Sequence, residues 1–316
     1  MNRSFAPLLR CHPDLDEVIE FDRGRLGRLG RSAAASAAFL RFARDLRRRR
    51  FDLAIDLQGL FRSGVFTWVT RAAVRVGFAD ARELAWVFYT HRIPPADGDL
   101  HAVDRNYAVS ALFGFHQVPK VSDLALTDDE RCAARRLLSE AGLSTEESFV
   151  AILPGARGET KRWLPDRFAD VVGRLADRGL RSVLMGGPGE RELCGQIASS
   201  CRSAPANLAG LTGLRELAAL IEQACAVLCH DSGPMHIAAV LGRPMVSIVG
   251  PTNPRRTGPY ERLDTVMRLE LPCSPCYFRR LAQCTQGHEC MRGISAADVA
   301  DRLVDLLEPA AVNADS

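Results

Sequence analysis

Asp231, Ser232 and His236 fall within six residues of one another in the stretch CHDSGPMHIAAVLG, Cys229–Gly242. A Ser-His-Asp set would suggest acyl transfer, but His230 and Asp231 precede Ser232, so the nucleophile elbow G-x-S-x-G is absent. A metal site needs two or three convergent ligands, and a helix carrying His236 alone supplies too few. The order of residues fits a third chemistry better. An apolar run, Cys225–Asp231, reads as a strand, and Asp231 or Ser232 is a good helix N-cap. Gly233 lets a ligand approach the backbone, Pro234 suits a first helical turn, and Gly242 followed by Arg243-Pro244 ends the helix. Such a strand–loop–helix presents backbone amides at a positive dipole end, which suits a phosphate or diphosphate. The plainer alternative is that Ser232 merely caps a structural helix and His236 fills space.

Three further loops share this strand-to-helix position. Gly155–Phe168 (GARGETKRWLPDRF) carries Lys161 between Arg157 and Arg162, compact positive charge for a diphosphate. Gly186–Glu192 (GGPGERE) offers close backbone approach, and Glu190 could accept hydrogen bonds from ribose hydroxyls. Gly250–Tyr260 (GPTNPRRTGPY) is the fourth. Neither G-x-G-x-x-G nor the Walker pattern is present, and each loop alone is a weak signal. Their convergence at the carboxyl edge of one sheet is the stronger argument for a nucleotide-type ligand.

Two other clusters carry chemical potential. Cys273, Cys276, Cys284, His288 and Cys290 lie close in sequence and could ligate zinc, although the spacing matches no standard finger; the bland reading is an irregular loop with thiols. Arg41–Arg50 (RFARDLRRRR) ends a helix in positive charge. Its ordinary reading is a solvated helix end, and its functional reading is attraction to an anionic lipid surface.

The elements that must position these residues alternate between short β-branched runs and helices, the pattern of α/β layers with parallel sheets. In the first half, Asp16–Phe21, Phe51–Leu57 and Val74–Phe78 read as strands, with helices over Ala33–Arg50 and His101–Phe113. In the second, strands at Phe149–Gly155, Arg181–Gly187, Cys225–Asp231 and Pro244–Gly250 alternate with helices, and a last helix covers Ala296–Leu307. The charged, turn-rich stretch Leu126–Ser148 places the join between domains of residues 1–125 and 126–316.

The 316 residues suit two domains. A composition 47% hydrophobic and 25% charged, with no apolar run of ~18 residues, argues against a membrane span. The first residues lack a signal-peptide pattern, so a cytoplasmic protein with reduced thiols is expected. A net charge of +3 does not announce a nucleic-acid binder. Of the 41 basic residues only Lys120 and Lys161 are lysine, a bias of base composition that still draws attention to Lys161.

With these residues laid out, the chain resembles glycosyltransferase family 9, the ADP-heptose:lipopolysaccharide heptosyltransferases. The resemblance rests on FDLAIDLQGLFRSG, LPGARGETKRWLPDRF, NLAGLTGLRELAALI, CHDSGPMHIAAVLGRP and GPTNPRRTGPY, with CSPCYFRRLAQCTQGHECM similar to the cysteine-bearing loop of the heptosyltransferase II branch. It implies a GT-B architecture, two Rossmann-like domains facing across a cleft with the last helix crossing back. It also implies metal-independent, inverting transfer of heptose from ADP-heptose to the inner core of lipopolysaccharide, with no cofactor. Lys161 would then neutralise the donor diphosphate, while Asp231, Ser232, Gly233 and His236 bind its sugar and phosphate region. Thr212 would lie by the adenine and Glu190 by the ribose. Arg62 and Arg105 would face the anionic acceptor. The protein would touch the anionic inner face of the plasma membrane peripherally.

One departure shapes the expectation. Family members open with a strand, a loop ending in Gly-Asp and a helix, and that Asp is the general base. This chain has no counterpart, so the first domain is expected to be N-terminally incomplete and no catalytic base is assigned. Two alternatives stand beside a heptosyltransferase. One is a non-catalytic or inactive nucleotide-sugar-binding homologue, and the other a GT-B enzyme using another nucleotide sugar, such as an N-acetylglucosamine epimerase.

Overall fold

The computed structural model describes residues 1–26, 30–95, 98–117, 119–144 and 146–307. The chain divides into two compact units, Met1–Lys120 and Val121–Ser316.

The first unit is built on a parallel sheet of three strands, β1 (Leu53–Asp56), β2 (Val74–Phe78) and β3 (His91–Ile93), ordered β1-β2-β3. Helix α1 (Ala33–Arg48) precedes β1, and α2 (Phe61–Val69) joins β1 to β2. Ser32 caps α1 by accepting from the Ala35 amide. The unit's core includes a cluster of Val76, Phe78, Ile93 and Val109 and another of Ala81, Ala85 and Tyr89. The expected strand at Asp16–Phe21 does not form. Phe21 makes a single bridge to Asn2, and residues 16–20 have no ladder partner. Their acidic side chains turn instead to arginines, Glu17 to Arg49 and Glu20 to Arg10. A strand is stable only with a neighbour to satisfy its amides, and alternating apolar residues cannot supply one. Helix α3 (Ala102–Tyr107) follows β3 and passes into a 3-10 stretch, Ala108–Phe113.

The second unit opens on α4 (Asp128–Glu140), whose N-terminus is a capping box between Thr127 and Glu130 with three acidic residues in its first turn. Residues 121–125 go with this unit because Arg215 donates to the carbonyls of Leu124 and Ala125 while its guanidinium grips Glu130. Six parallel strands follow: β4 (Phe149–Leu153), β5 (Arg181–Leu184), β6 (Ala206–Asn207), β7 (Ala226–His230), β8 (Met245–Ile248) and β9 (Val266–Met267). They are ordered β6-β5-β4-β7-β8-β9. Every residue of β4, β7 and β8 is buried, as expected of strands covered on both faces. The covering helices are α5 (Pro165–Ala176), α6 (Arg191–Ser200), α7 (Leu214–Gln223), α8 (Gly233–Val240) and α9 (Ala296–Asp305). On α5, Phe168, Val171, Val172 and Leu175 recur at helical spacing and are all buried, and α9 packs against that helix. The strand order reverses between β4 and β7, so a crevice opens at their carboxyl ends, where doubly wound sheets bind ligands.

Candidate functional site

The site of the second unit lies at this reversal. Strand β7 ends on His230, which is fully buried and accepts a hydrogen bond from the Trp163 amide at 2.9 Å. Its ring meets Phe168 edge-on. Burial lowers its pKa to about 4, so it is neutral and structural, tying the loop after β4 to the end of β7. Asp231, 8% exposed, comes next. It accepts from Lys161 Nζ at 2.6 Å and from Thr252 Oγ1 at 2.5 Å. One carboxylate therefore joins the loops after β4, β7 and β8, and it fixes the single lysine of this unit beside the reversal point.

Ser232 occupies the N-cap position of α8 in extended backbone, but its hydroxyl donates to the His230 carbonyl and makes no cap bond, correcting the expectation of a side-chain cap. Gly233 is exposed, and a Cβ placed there would meet nothing within 4 Å. His236 is exposed in the first turn of the same helix. The helix entrance thus faces open space with no side-chain oxygen capping it, an arrangement suited to an anion.

Glu190 lies where the loops after β4 and β5 meet. A Cβ on Gly155 would come within 2.6 Å of its Cγ, and one on Gly186 within 2.8 Å of its Cβ. The two glycines exist to admit this side chain, which a motif search of either loop alone does not reveal. The loop carrying Thr212 is tied to the same place, through the Gly210 amide to the Gly186 carbonyl at 2.8 Å and Arg191 to the Gly210 carbonyl at 2.7 Å. Lys161, Asp231, Ser232, Gly233, His236, Glu190 and Thr212 therefore all stand along the carboxyl edge of this one sheet.

Two groups have roles that sequence reasoning did not give them. Thr252 lies in the fourth loop, Gly250–Tyr260, but was not singled out within it. The cysteine-bearing segment Cys273–Cys290 is a strap laid over the Lys161 turn. The Glu159 amide donates to the Arg279 carbonyl at 3.0 Å, Thr160 Oγ1 donates to the Phe278 carbonyl, and His288 Nε2 lies 2.8 Å from the Thr160 carbonyl. Ser274 and Tyr277 bind the Gly250 and Pro251 carbonyls of the loop after β8. All ten cysteines are unbridged, and burial pushes the Cys290 thiol up to about 11. Among the described residues no three His, Cys, Asp or Glu side chains gather where they could hold a metal ion.

In the first unit, β1 ends on Asp56, which is buried and accepts from the Gln58 and Gly59 amides and, at 2.6 Å, from the Tyr89 hydroxyl. Burial, with the Asp56 bond, drives the Tyr89 phenol far above its ordinary range. This pair fixes the turn that delivers Arg62 to the start of α2. The guanidinium of Arg62 lies 5.4 Å from the Phe21 ring centroid, and its buried Nε has no hydrogen-bond partner among the described residues. Arg105 pairs with Asp80 at 2.6 Å and stacks on Phe78. Asp80 follows β2, so both arginines stand at the carboxyl edge of the first sheet.

Residues 39–285 match the profile of Glycosyltransferase family 9 (heptosyltransferase). The lipopolysaccharide core heptosyltransferase OpsX of Haemophilus influenzae is 29% identical over 71% of this chain and 64% of its own length, so this chain spans just under two thirds of that relative. Lipopolysaccharide heptosyltransferase 1 of Pseudomonas aeruginosa is 31% identical over 87% of the chain and 76% of the relative. Among solved structures, the E. coli heptosyltransferase WaaC with ADP superposes with a TM-score of 0.72 at 26% identity, covering 96% of this chain and 88% of that one.

Proposed function

The chain belongs to glycosyltransferase family 9 and has its GT-B class of fold, and from that premise we propose that it transfers heptose from ADP-heptose, with inversion, to the inner core of lipopolysaccharide. The observation that carries this reading is the Lys161–Asp231 pair at the sheet reversal beside the open entrance of α8. The WaaC relative was solved with ADP, and the site described here has the charge and backbone such a ligand asks for.

In this reading the donor's diphosphate lies against Lys161 Nζ and the amides at the start of α8. Asp231, Ser232, Gly233 and His236 line its phosphate and sugar region. Glu190, half-buried between its two glycines, accepts from the ribose, and Thr212 borders the adenine. When the acceptor hydroxyl attacks the anomeric carbon, the bond to the diphosphate oxygen breaks and ADP leaves with the electron pair. Lys161 and the helix entrance stabilise that developing charge without reorganising, because both are fixed in advance. The acceptor proton leaves to a base that no residue of this chain is assigned. Arg62 and Arg105 offer the acceptor's anionic groups two guanidiniums, and the basic run Arg41–Arg50 draws the protein to the anionic cytoplasmic face of the plasma membrane. In this reading the contact is peripheral; among the described residues no helix is long and apolar enough to cross a membrane.

Calorimetric titration of ADP tests the donor site. A charge-assisted contact contributes about 1.5–3 kcal/mol, so Lys161→Ala is expected to weaken ADP by at least ~10-fold. Equal affinities would overturn the donor assignment.

A further inference from the structure

In the first unit, two arginines of the Arg41–Arg50 run meet two others around one cavity. The last turns of α1 and α2 and the start of β2 enclose a cavity of about 530 Å³ whose lining includes Leu40, Arg44, Arg47, Trp68, Arg71 and Arg75. Arg44 and Arg47 are three residues apart on α1 and share a face. Arg71 follows α2 in the left-handed region, at φ 59°, where the chain turns sharply toward β2. Arg75 donates Nε to the Phe88 carbonyl at 2.9 Å and Nη1 to the Ala72 carbonyl at 2.8 Å, neutral acceptors that hold the guanidinium without cancelling its charge. None of the four arginines makes an ion pair among the described residues. Asp45, on the same helix, is committed to Arg49, and Asp80, beyond β2, to Arg105.

Four arginines without an ion-pair partner among the described residues concentrate positive potential around one cavity, which favours an anion there. The rim distinguishes between anions. Trp68 is 58% exposed and Leu40 61% exposed, both lining the same cavity. A soluble phosphate gains nothing from apolar side chains beside it. At a lipid surface an amphipathic ring and an aliphatic chain enter the headgroup boundary while guanidiniums take the phosphates. Arg62 lies in the first turn of α2 and Trp68 in its last, about 9 Å of helical rise apart, and neither Arg62 nor Arg105 lines the cavity.

We propose that this cavity seats the phosphate headgroup of an anionic membrane lipid, with Trp68 and Leu40 inserted beside it. The proposal rests on the membrane-surface reading above and gives it a site in place of a diffuse charge. It is tested by sedimentation of the full chain with phosphatidylcholine vesicles, with and without phosphatidylglycerol. Each basic residue near an anionic surface contributes about 1 kcal/mol, about 5-fold. Arg44→Gln with Arg71→Gln is therefore expected to weaken binding to the anionic vesicles by about 25-fold or more. The same charge removed away from both the cavity and the Arg41–Arg50 run, Arg135→Gln with Arg136→Gln on the exposed face of α4, is expected to weaken it by less than ~5-fold, because the surface potential acts only within about a Debye length. Equal losses in the two pairs would overturn the cavity assignment and leave the membrane reading standing. A wild-type chain that ignores anionic vesicles would overturn both. Inorganic phosphate is titrated in parallel, and saturable phosphate binding without vesicle binding would make this a soluble-anion site and sink the lipid. All four substituted arginines are exposed, and unchanged circular dichroism of both variants shows that loss of fold is not the cause.

Discussion

Asp231 holds Lys161 and Thr252 with a single carboxylate, and His230 beside it works by being neutral. A buried histidine whose pKa falls from 6.5 to about 4 takes up protons more readily in the unfolded chain. Its folded-state advantage is therefore complete above pH 6.5 and is lost as pH falls from there toward 4. The linkage is about 1.4 kcal/mol per pH unit across that window. Urea unfolding at pH 7 and pH 5 should show this loss. His230→Gln keeps an acceptor for the Trp163 amide but cannot titrate, and its stability should change less over the same interval. An identical pH dependence in wild type and variant would refute the assignment.

At the scale of elements, the entrance of α8 and the strap over the Lys161 turn make separate predictions. A Cβ at Gly233 meets no protein atom, so Gly233→Ala should leave thermal stability within about 0.5 kcal/mol of wild type. The added methyl projects toward the bound anion, and ADP affinity should fall several-fold. Loss of stability with unchanged affinity would mean the glycine serves the fold alone. The strap acts through Thr160, which is 2% exposed and donates to the Phe278 carbonyl while His288 holds its carbonyl. Thr160→Val keeps the shape, removes that donor, and leaves the Phe278 carbonyl short of a partner. It should raise the donor KM several-fold with little change in kcat, because it loosens Lys161 without touching the reacting atoms. A fall in kcat at constant KM would contradict this positioning role.

The two compact units divide the labour proposed here. All the donor groups and the strap lie in Val121–Ser316, over a continuous core running from Val150 on β4 to Leu303 on α9. Residues 121–316 expressed alone should therefore fold and bind ADP within ~3-fold of the full chain, since distant independent sites add with small coupling. A fragment that folds but does not bind ADP would show that the first unit completes the donor site.

Local sequence determined the α/β alternation, the strands β4, β5, β7 and β8 within two or three residues at their ends, and the four loops at one sheet edge. It could do so because period-2 and period-3.6 apolar patterns, Pro165 and Pro234 at helix starts and Gly242 after a helix end are short-range signals. It drew attention to Lys161 through its rarity, and to Asp231 and Gly233 through their place at a strand-to-helix turn. Only the tertiary structure decided that Asp231 bridges three loops, that Gly155 and Gly186 exist to admit Glu190, and that the cysteine segment is a strap over Lys161. Each of these contacts joins residues far apart in sequence, so no local pattern could encode it. The stretch Asp16–Phe21 shows the same limit from the other side: its apolar pattern suggested a strand, and among the described residues its only β-pairing is the bridge of Phe21 to Asn2.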